Sequence, residues 1–194
     1  MRNNKTVFIT FSALIMAIII IMALVPQLGY IQIGLTAITI IHIPVLIGSM
    51  TFKNWKLALI SGTTFGLSSW FVAMTRPSTP SDILFQNPLV SIVPRILFAL
   101  IALYLFIALT KAFKKKETLA AVVTCVLATF IHTLMVVGMM YLFGRSIFAD
   151  GFVKIIIGIV SVNGWLEMVL AGLIVPPIIS VLSKSFTHIN LDDN

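Results

Sequence analysis

Apolar residues in this chain gather in long unbroken runs, with polar residues collected between them. The runs cover 7–25, 39–51, 55–74, 88–113, 119–143 and 154–182. A helix facing water on one side needs a polar stripe, and these runs lack one. Helices that are apolar all round lie in a core or in a bilayer, and a crossing helix takes about 20 residues. Five of the runs have 19 residues or more, while 39–51 has 13 and holds Pro44 and Gly48. That short run can cross only with support from its neighbours or with irregular backbone continuing it. Such backbone is tolerated where protein or a watery cavity covers it. The pattern predicts an all-α integral membrane protein of six helices, one membrane-embedded domain over 1–194.

Composition leads to the same solvent. The chain has 194 residues, 59% of them hydrophobic and only 10% charged, with a mean hydropathy of +1.11. A soluble domain is nearer half apolar and a quarter charged. The N-terminal stretch "MRNNKTVFITFSALIMAIIIIMALVP" starts basic and turns apolar, as a signal peptide does. Its apolar run is long for one, and no small-residue cleavage site precedes Pro26, so a retained first helix is expected.

Net charge is +7, yet the basic residues form no groove-like patch with interleaved aromatics. They sit at the ends of the runs. With six crossings and an internal N-terminus, the cytoplasmic set is Arg2, Lys5, Lys53, Lys56, Lys111, Lys114, Lys115, Lys116 and Lys184. The outer loops hold Arg76, Arg145 and Lys154. This bias predicts that both termini are cytoplasmic. "PQLGYIQIGLTAIT", "TRPSTPSDILFQNP" and "GRSIFADGF" then form lid-sized outer loops; the first alternates loosely. Cys125 is the single cysteine, which excludes an intrachain disulfide and a cysteine metal cluster.

Enzymatic motifs are missing. There is no GxxxxGK[ST], no HExxH and no GxSxG. His42, His132 and His188 are far apart in sequence, and the aspartates fall in loops or the tail. No metal site or cofactor is expected in the chain. What remains is a small set of polar groups inside the runs. An ionisable residue there costs about 2.5 kcal/mol or more and marks a functional site by default. Arg95 lies two turns into the fourth run, and Glu167 in the sixth. Asn87 and Ser91 precede Arg95 at spacing four, and Asn163 precedes Glu167 by four, so each set shares a helix face. Two readings stay open. Arg95 and Glu167 form an ion pair that fastens two helices, or the two polar stripes line a site for a small polar solute. A free Arg95 would present a fork to a carboxylate or phosphate. His132, mid-way along the fifth run, bonds a neighbouring helix or joins that site. Trp70, Trp165, Tyr30 and Tyr141 suit an interfacial belt or stacking on a ligand.

Small residues add a second pattern. Ala13 and Ala17 are spaced AxxxA in the first run, and Gly62 and Gly66 GxxxG in the third; both spacings allow close helix approach. The order of these features resembles the S components, the substrate-binding membrane subunits of energy-coupling factor (ECF) vitamin transporters. The resemblance rests on length and run number, on Ala13 and Ala17, on "ITIIHIPVLIGS", on "GTTFGLSSW", on "NPLVSIVPRILFAL" and on "NGWLEMVLAGLIVPPI". The last two look most like the branch assigned to pantothenate.

The resemblance implies a substrate-binding domain in a bacterial cell membrane. It implies that a vitamin is bound from outside, beneath the loops after the first, third and fifth spans. A membrane coupling subunit, met through Ala13 and Ala17, and two cytoplasmic ATPases would then drive toppling of the chain and delivery of the vitamin. Asn87, Ser91, Arg95, His132, Asn163, Glu167, Tyr30 and Trp165 are the candidate substrate-binding residues. Arg95 would take the carboxylate of pantothenate, with Asn87, Asn163 and His132 on its polar middle. Hydroxymethylpyrimidine or pyridoxine would use Glu167 and the aromatics instead; riboflavin is larger and flatter. An integral-membrane enzyme centred on Arg95 and Glu167, or an assembly subunit with no ligand, are the readings from other classes.

Overall fold

A computed structural model describes residues 4–33, 36–77, 82–114, 116–148 and 164–186. Its elements run α1 (Asn4–Leu24), α2 (Pro26–Gly29), β1 (Tyr30–Ile33), β2 (Thr36–Thr39), α3 (His42–Thr51), α4 (Trp55–Thr75), α5 (Asp82–Phe85), α6 (Pro88–Ala112), α7 (Glu117–Phe148) and α8 (Gly164–Ser185). Among the described residues, α1, α4, α6, α7 and α8 are long and apolar enough to cross a membrane.

The expected sixth crossing, 39–51, takes a different form. It supplies a ten-residue helix, α3, which spans only about 15 Å at 1.5 Å per residue. Every residue of α3 except Ile47 is buried, because α3 packs among α1, α4, α6 and α8. A helix that short stays inside the bundle since its neighbours cover it. The all-α expectation also needs one addition. The loosely alternating loop after α1 folds as an antiparallel hairpin, with Tyr30 opposite Thr39 and Ile33 opposite Thr36.

The long helices follow one another around α3. α4 packs on α1 and α6, α6 on α7, and α7 on α8. The α4–α6 contact is close because Gly62 and Gly66 have no side chains. A Cβ on Gly62 would lie 2.8 Å from the Arg95 carbonyl oxygen, and one on Gly66 would lie 2.9 Å from the Ile92 Cα. In lipid this kind of packing must replace the hydrophobic drive between helices. It sets α4 directly against the turn of α6 that carries Arg95.

Local chemistry starts the helices. Asn54 caps α4 by accepting from the Lys56 N–H at 2.8 Å. Asn87 caps α6 by accepting from the Leu89 N–H at 3.0 Å. Pro88 follows at the first position, where no donor is needed. One end of the bundle is tied by Lys53, whose Nζ lies 2.6 Å from Glu117 Oε1. Ser183 Oγ donates to the other Glu117 oxygen. Phe52 packs there against Phe11 and Phe186, with ring centroids 5.1 Å away in each case. The hairpin, α5 and the start of α6 form the opposite end.

Candidate functional site

Arg95 is buried on α6 directly after Pro94. A proline inside a helix removes the donor for the carbonyl four residues earlier, here that of Val90. The Arg95 guanidinium takes that place: Nη1 donates to the Val90 carbonyl at 2.7 Å. Its central carbon lies 4.6 Å from the Phe85 ring centroid and 5.6 Å from that of Phe65. The two ring faces offset part of the cost of burying a cation. Arg95 Nε is buried without a hydrogen-bond partner among the described residues.

Phe85 is held over the guanidinium by Ser91, whose Oγ donates to the Phe85 carbonyl at 2.5 Å. The following turn is fixed from α4. Trp70 Nε1 donates to the Gln86 carbonyl at 3.0 Å, and Gln86 Nε2 donates to the Ala73 carbonyl at 3.1 Å. Ser91 and Trp70 therefore act on the segment that covers Arg95, while Asn87 spends its side-chain oxygen on the cap of α6.

His132 on α7 shares this aromatic floor. Its ring lies 4.7 Å from Phe98 and 6.1 Å from Phe65, centroid to centroid. Its Nε2 is buried without a partner among the described residues. Phe65 thus touches both the guanidinium and the imidazole. Two hydrogen-bonding atoms, Arg95 Nε and His132 Nε2, are left open beside an apolar surface of Phe65, Phe85 and Phe98. Leaving such atoms unsatisfied costs about 1–3 kcal/mol each, more for a charged group, and a polar ligand would recover that loss.

Glu167 and Arg95 do not meet as an ion pair; both are described residues, and each has another partner. Glu167 Oε1 instead accepts from the Thr39 N–H at 2.7 Å. The Thr39 carbonyl accepts from His42 Nδ1 at 2.5 Å, which places the proton of a neutral ring on Nδ1. His42 Nε2 lies 3.3 Å from the Glu167 carbonyl. Both backbone groups of Thr39, the last residue of the hairpin, are thus engaged by buried polar side chains. Across the hairpin, Tyr30 is the register partner of Thr39.

The fold therefore brings together Arg95, His132, Tyr30 and Glu167, with Ser91 in support. Trp165 points away, 66% exposed, on the surface that a bilayer would cover. Tyr141 is exposed in the same manner. Asn163 lies outside the described residues. Sequence reasoning missed His42, Thr39 and the three phenylalanines. A histidine at the head of a short Pro-containing apolar run was the available sign for His42. Ala13 and Ala17 are exposed on α1. Ile15 and Ile19 are buried, and helix positions two apart in sequence are about 200° apart around the axis, so the alanines lie on the outer face.

Residues 7–179 match the family model for the ECF transporter, substrate-specific component. The chain belongs to that family. A relative, the pantothenate transporter PanT of Leuconostoc mesenteroides, is 32% identical over 198 residues, covering 94% of this chain and 95% of that protein. The protein is accordingly a component of a transporter and not an enzyme, and it is a multi-pass membrane protein. Membership also explains why the chemistry-bearing groups are few and buried: a substrate-specific component has to recognise a solute and has no bond to break.

Proposed function

We propose that this protein is the pantothenate-binding component of an ECF importer. The observation that carries the choice of ligand is the buried guanidinium of Arg95, with its Nε unpartnered among the described residues. A guanidinium fork matches a carboxylate in two places, and pantothenate ends in one. His132 Nε2 is positioned for a hydroxyl or the amide of the ligand's middle, and Phe65, Phe85 and Phe98 receive its methylene and methyl groups. The similarity to PanT supports the same ligand.

In this reading the chain crosses the membrane with the hairpin end outside and both termini in the cytoplasm, and α3 with its hairpin completes a sixth crossing. The lysines at the opposite end, Lys53, Lys56, Lys111, Lys114 and Lys116, suit a cytoplasmic face. A membrane coupling subunit docks on the Ala13 and Ala17 face of α1, and two separate ATPases supply the energy. The chain itself needs no cofactor. Toppling in the bilayer then carries the vitamin to the cytoplasm.

Calorimetric titration of the purified chain with a vitamin panel tests the proposal. Tight binding of pantothenate, lost in Arg95→Ala, is the expected result. Tight binding of hydroxymethylpyrimidine, pyridoxine or riboflavin in its place would keep the transporter and overturn the ligand.

A further inference from the structure

Thr39 closes the hairpin, and two buried side chains from different helices hold its backbone. Glu167 of α8 accepts from the Thr39 N–H at 2.7 Å, and His42 of α3 donates to the Thr39 carbonyl at 2.5 Å. The Glu167 carboxyl is spent on a backbone amide, and the buried Arg95 guanidinium on the Val90 carbonyl. Thr39 is also the register partner of Tyr30, and Gly29, just before Tyr30, accepts from the Ile40 N–H at 2.9 Å. Fixing Thr39 therefore fixes Tyr30 on the facing strand.

We propose that Glu167 and His42 are positioning residues, which clamp Thr39 and so hold the hairpin, Tyr30 included, against the bundle. Glu167 then acts on the ligand through the hairpin and not by touching it. The purpose of the clamp, retention of a ligand at Arg95, rests on the functional proposal above; the clamp itself does not.

The clamp has a signature that a charge facing the ligand would not share. Glutamine keeps an oxygen that can accept from the Thr39 N–H and loses the charge; alanine loses both. Hydrogen–deuterium exchange of the full chain in lipid nanodiscs, without any vitamin, reads the hairpin directly. In Glu167→Ala the amides of 36–40 should exchange roughly tenfold faster or more, with those of α4 and α6 unchanged. Glu167→Gln should restore most of the protection. His42→Phe keeps the ring against Phe98 and removes the donor, so it should loosen the same amides and no others. If Glu167→Ala loosens the whole bundle, His42→Phe decides by the same readout. Hairpin protection equal to wild type in the alanine variant would overturn the clamp, as would a glutamine variant that loosens the hairpin as fully as alanine does. Because no vitamin is present, failure of the pantothenate assignment leaves this result standing. With pantothenate bound, the same alanine variant should release it roughly tenfold faster.

Discussion

Arg95 Nη1 donates at 2.7 Å to the carbonyl of Val90, the carbonyl that Pro94 deprives of its helical donor. The helix defect and the buried cation thus satisfy one another. The bond also fixes the direction in which the remaining donors of the guanidinium face, between Phe85 and Phe65.

A lysine cannot reproduce this. It has one nitrogen, which can bond Val90 or meet a ligand carboxylate but not grip both in fork geometry. Arg95→Lys should weaken pantothenate binding by about tenfold to a hundredfold, the equivalent of one charge-assisted bond of about 1.5–3 kcal/mol. Calorimetry on the two proteins checks it; undiminished affinity would mean that the guanidinium shape is irrelevant.

Pro94→Ala restores an N–H that competes for the Val90 carbonyl. The helix gains a bond while Arg95 loses its anchor. Thermal stability should hold or rise, and pantothenate affinity should fall several-fold. A melting curve and a titration on one preparation separate these effects, and a fall in stability with affinity retained would contradict the anchoring role.

The glycines of α4 differ in kind from Gly172 of α8. A methyl on Gly66 meets the Ile92 Cα at 2.9 Å, which is backbone and cannot swing aside. Gly66→Ala should cost about 1–3 kcal/mol by overpacking and should displace the Arg95 turn as well. A methyl on Gly172 meets only a Val126 methyl at 3.5 Å, an ordinary contact. Gly172→Ala should be neutral or stabilising, by up to about 1 kcal/mol from helix propensity. Thermal denaturation in one detergent compares the two.

Ala13 and Ala17 face away from the bundle. Replacing both by tryptophan should leave pantothenate affinity within about twofold, since nothing in the core moves. Uptake in cells carrying the coupling subunit and ATPases should be abolished, because bulky side chains bar close helix approach. Normal uptake with the complex intact would place the docking face elsewhere.

The helices were legible because lipid imposes a plain rule, about twenty apolar residues per crossing. Bounds read from the sequence at 55–74 and 88–113 fall within a residue of α4 and α6. The run 39–51 broke that rule and read as incomplete; its burial depends on four neighbours that no local pattern reveals. Arg95 and Glu167 stood out as charges inside apolar runs, and His132 as a histidine in mid-helix. Their partners were not legible. The guanidinium answers to a carbonyl five residues back, freed by the proline just before it, and the carboxylate to a backbone amide 128 positions away. Backbone groups carry no sequence signature, so side-chain pairing led instead to an Arg95–Glu167 ion pair as one open reading, and this pair does not form. Asn87 and Ser91 were read by spacing as one polar face with Arg95. Local geometry gives Asn87 a capping role and Ser91 the support of Phe85.

The most direct test uses a ligand pair differing only at the carboxylate: pantothenate, and the alcohol in which that group is reduced to a primary hydroxyl. Dissociation constants would be measured for both on the purified wild-type chain and on Arg95→Ala. Wild type should prefer the acid by a hundredfold or more, on the order of 3 kcal/mol for a buried charge pairing, and the variant should scarcely discriminate. A wild-type chain that binds acid and alcohol alike, or a variant that still prefers the acid as strongly, would contradict the claim that the buried arginine reads the carboxylate.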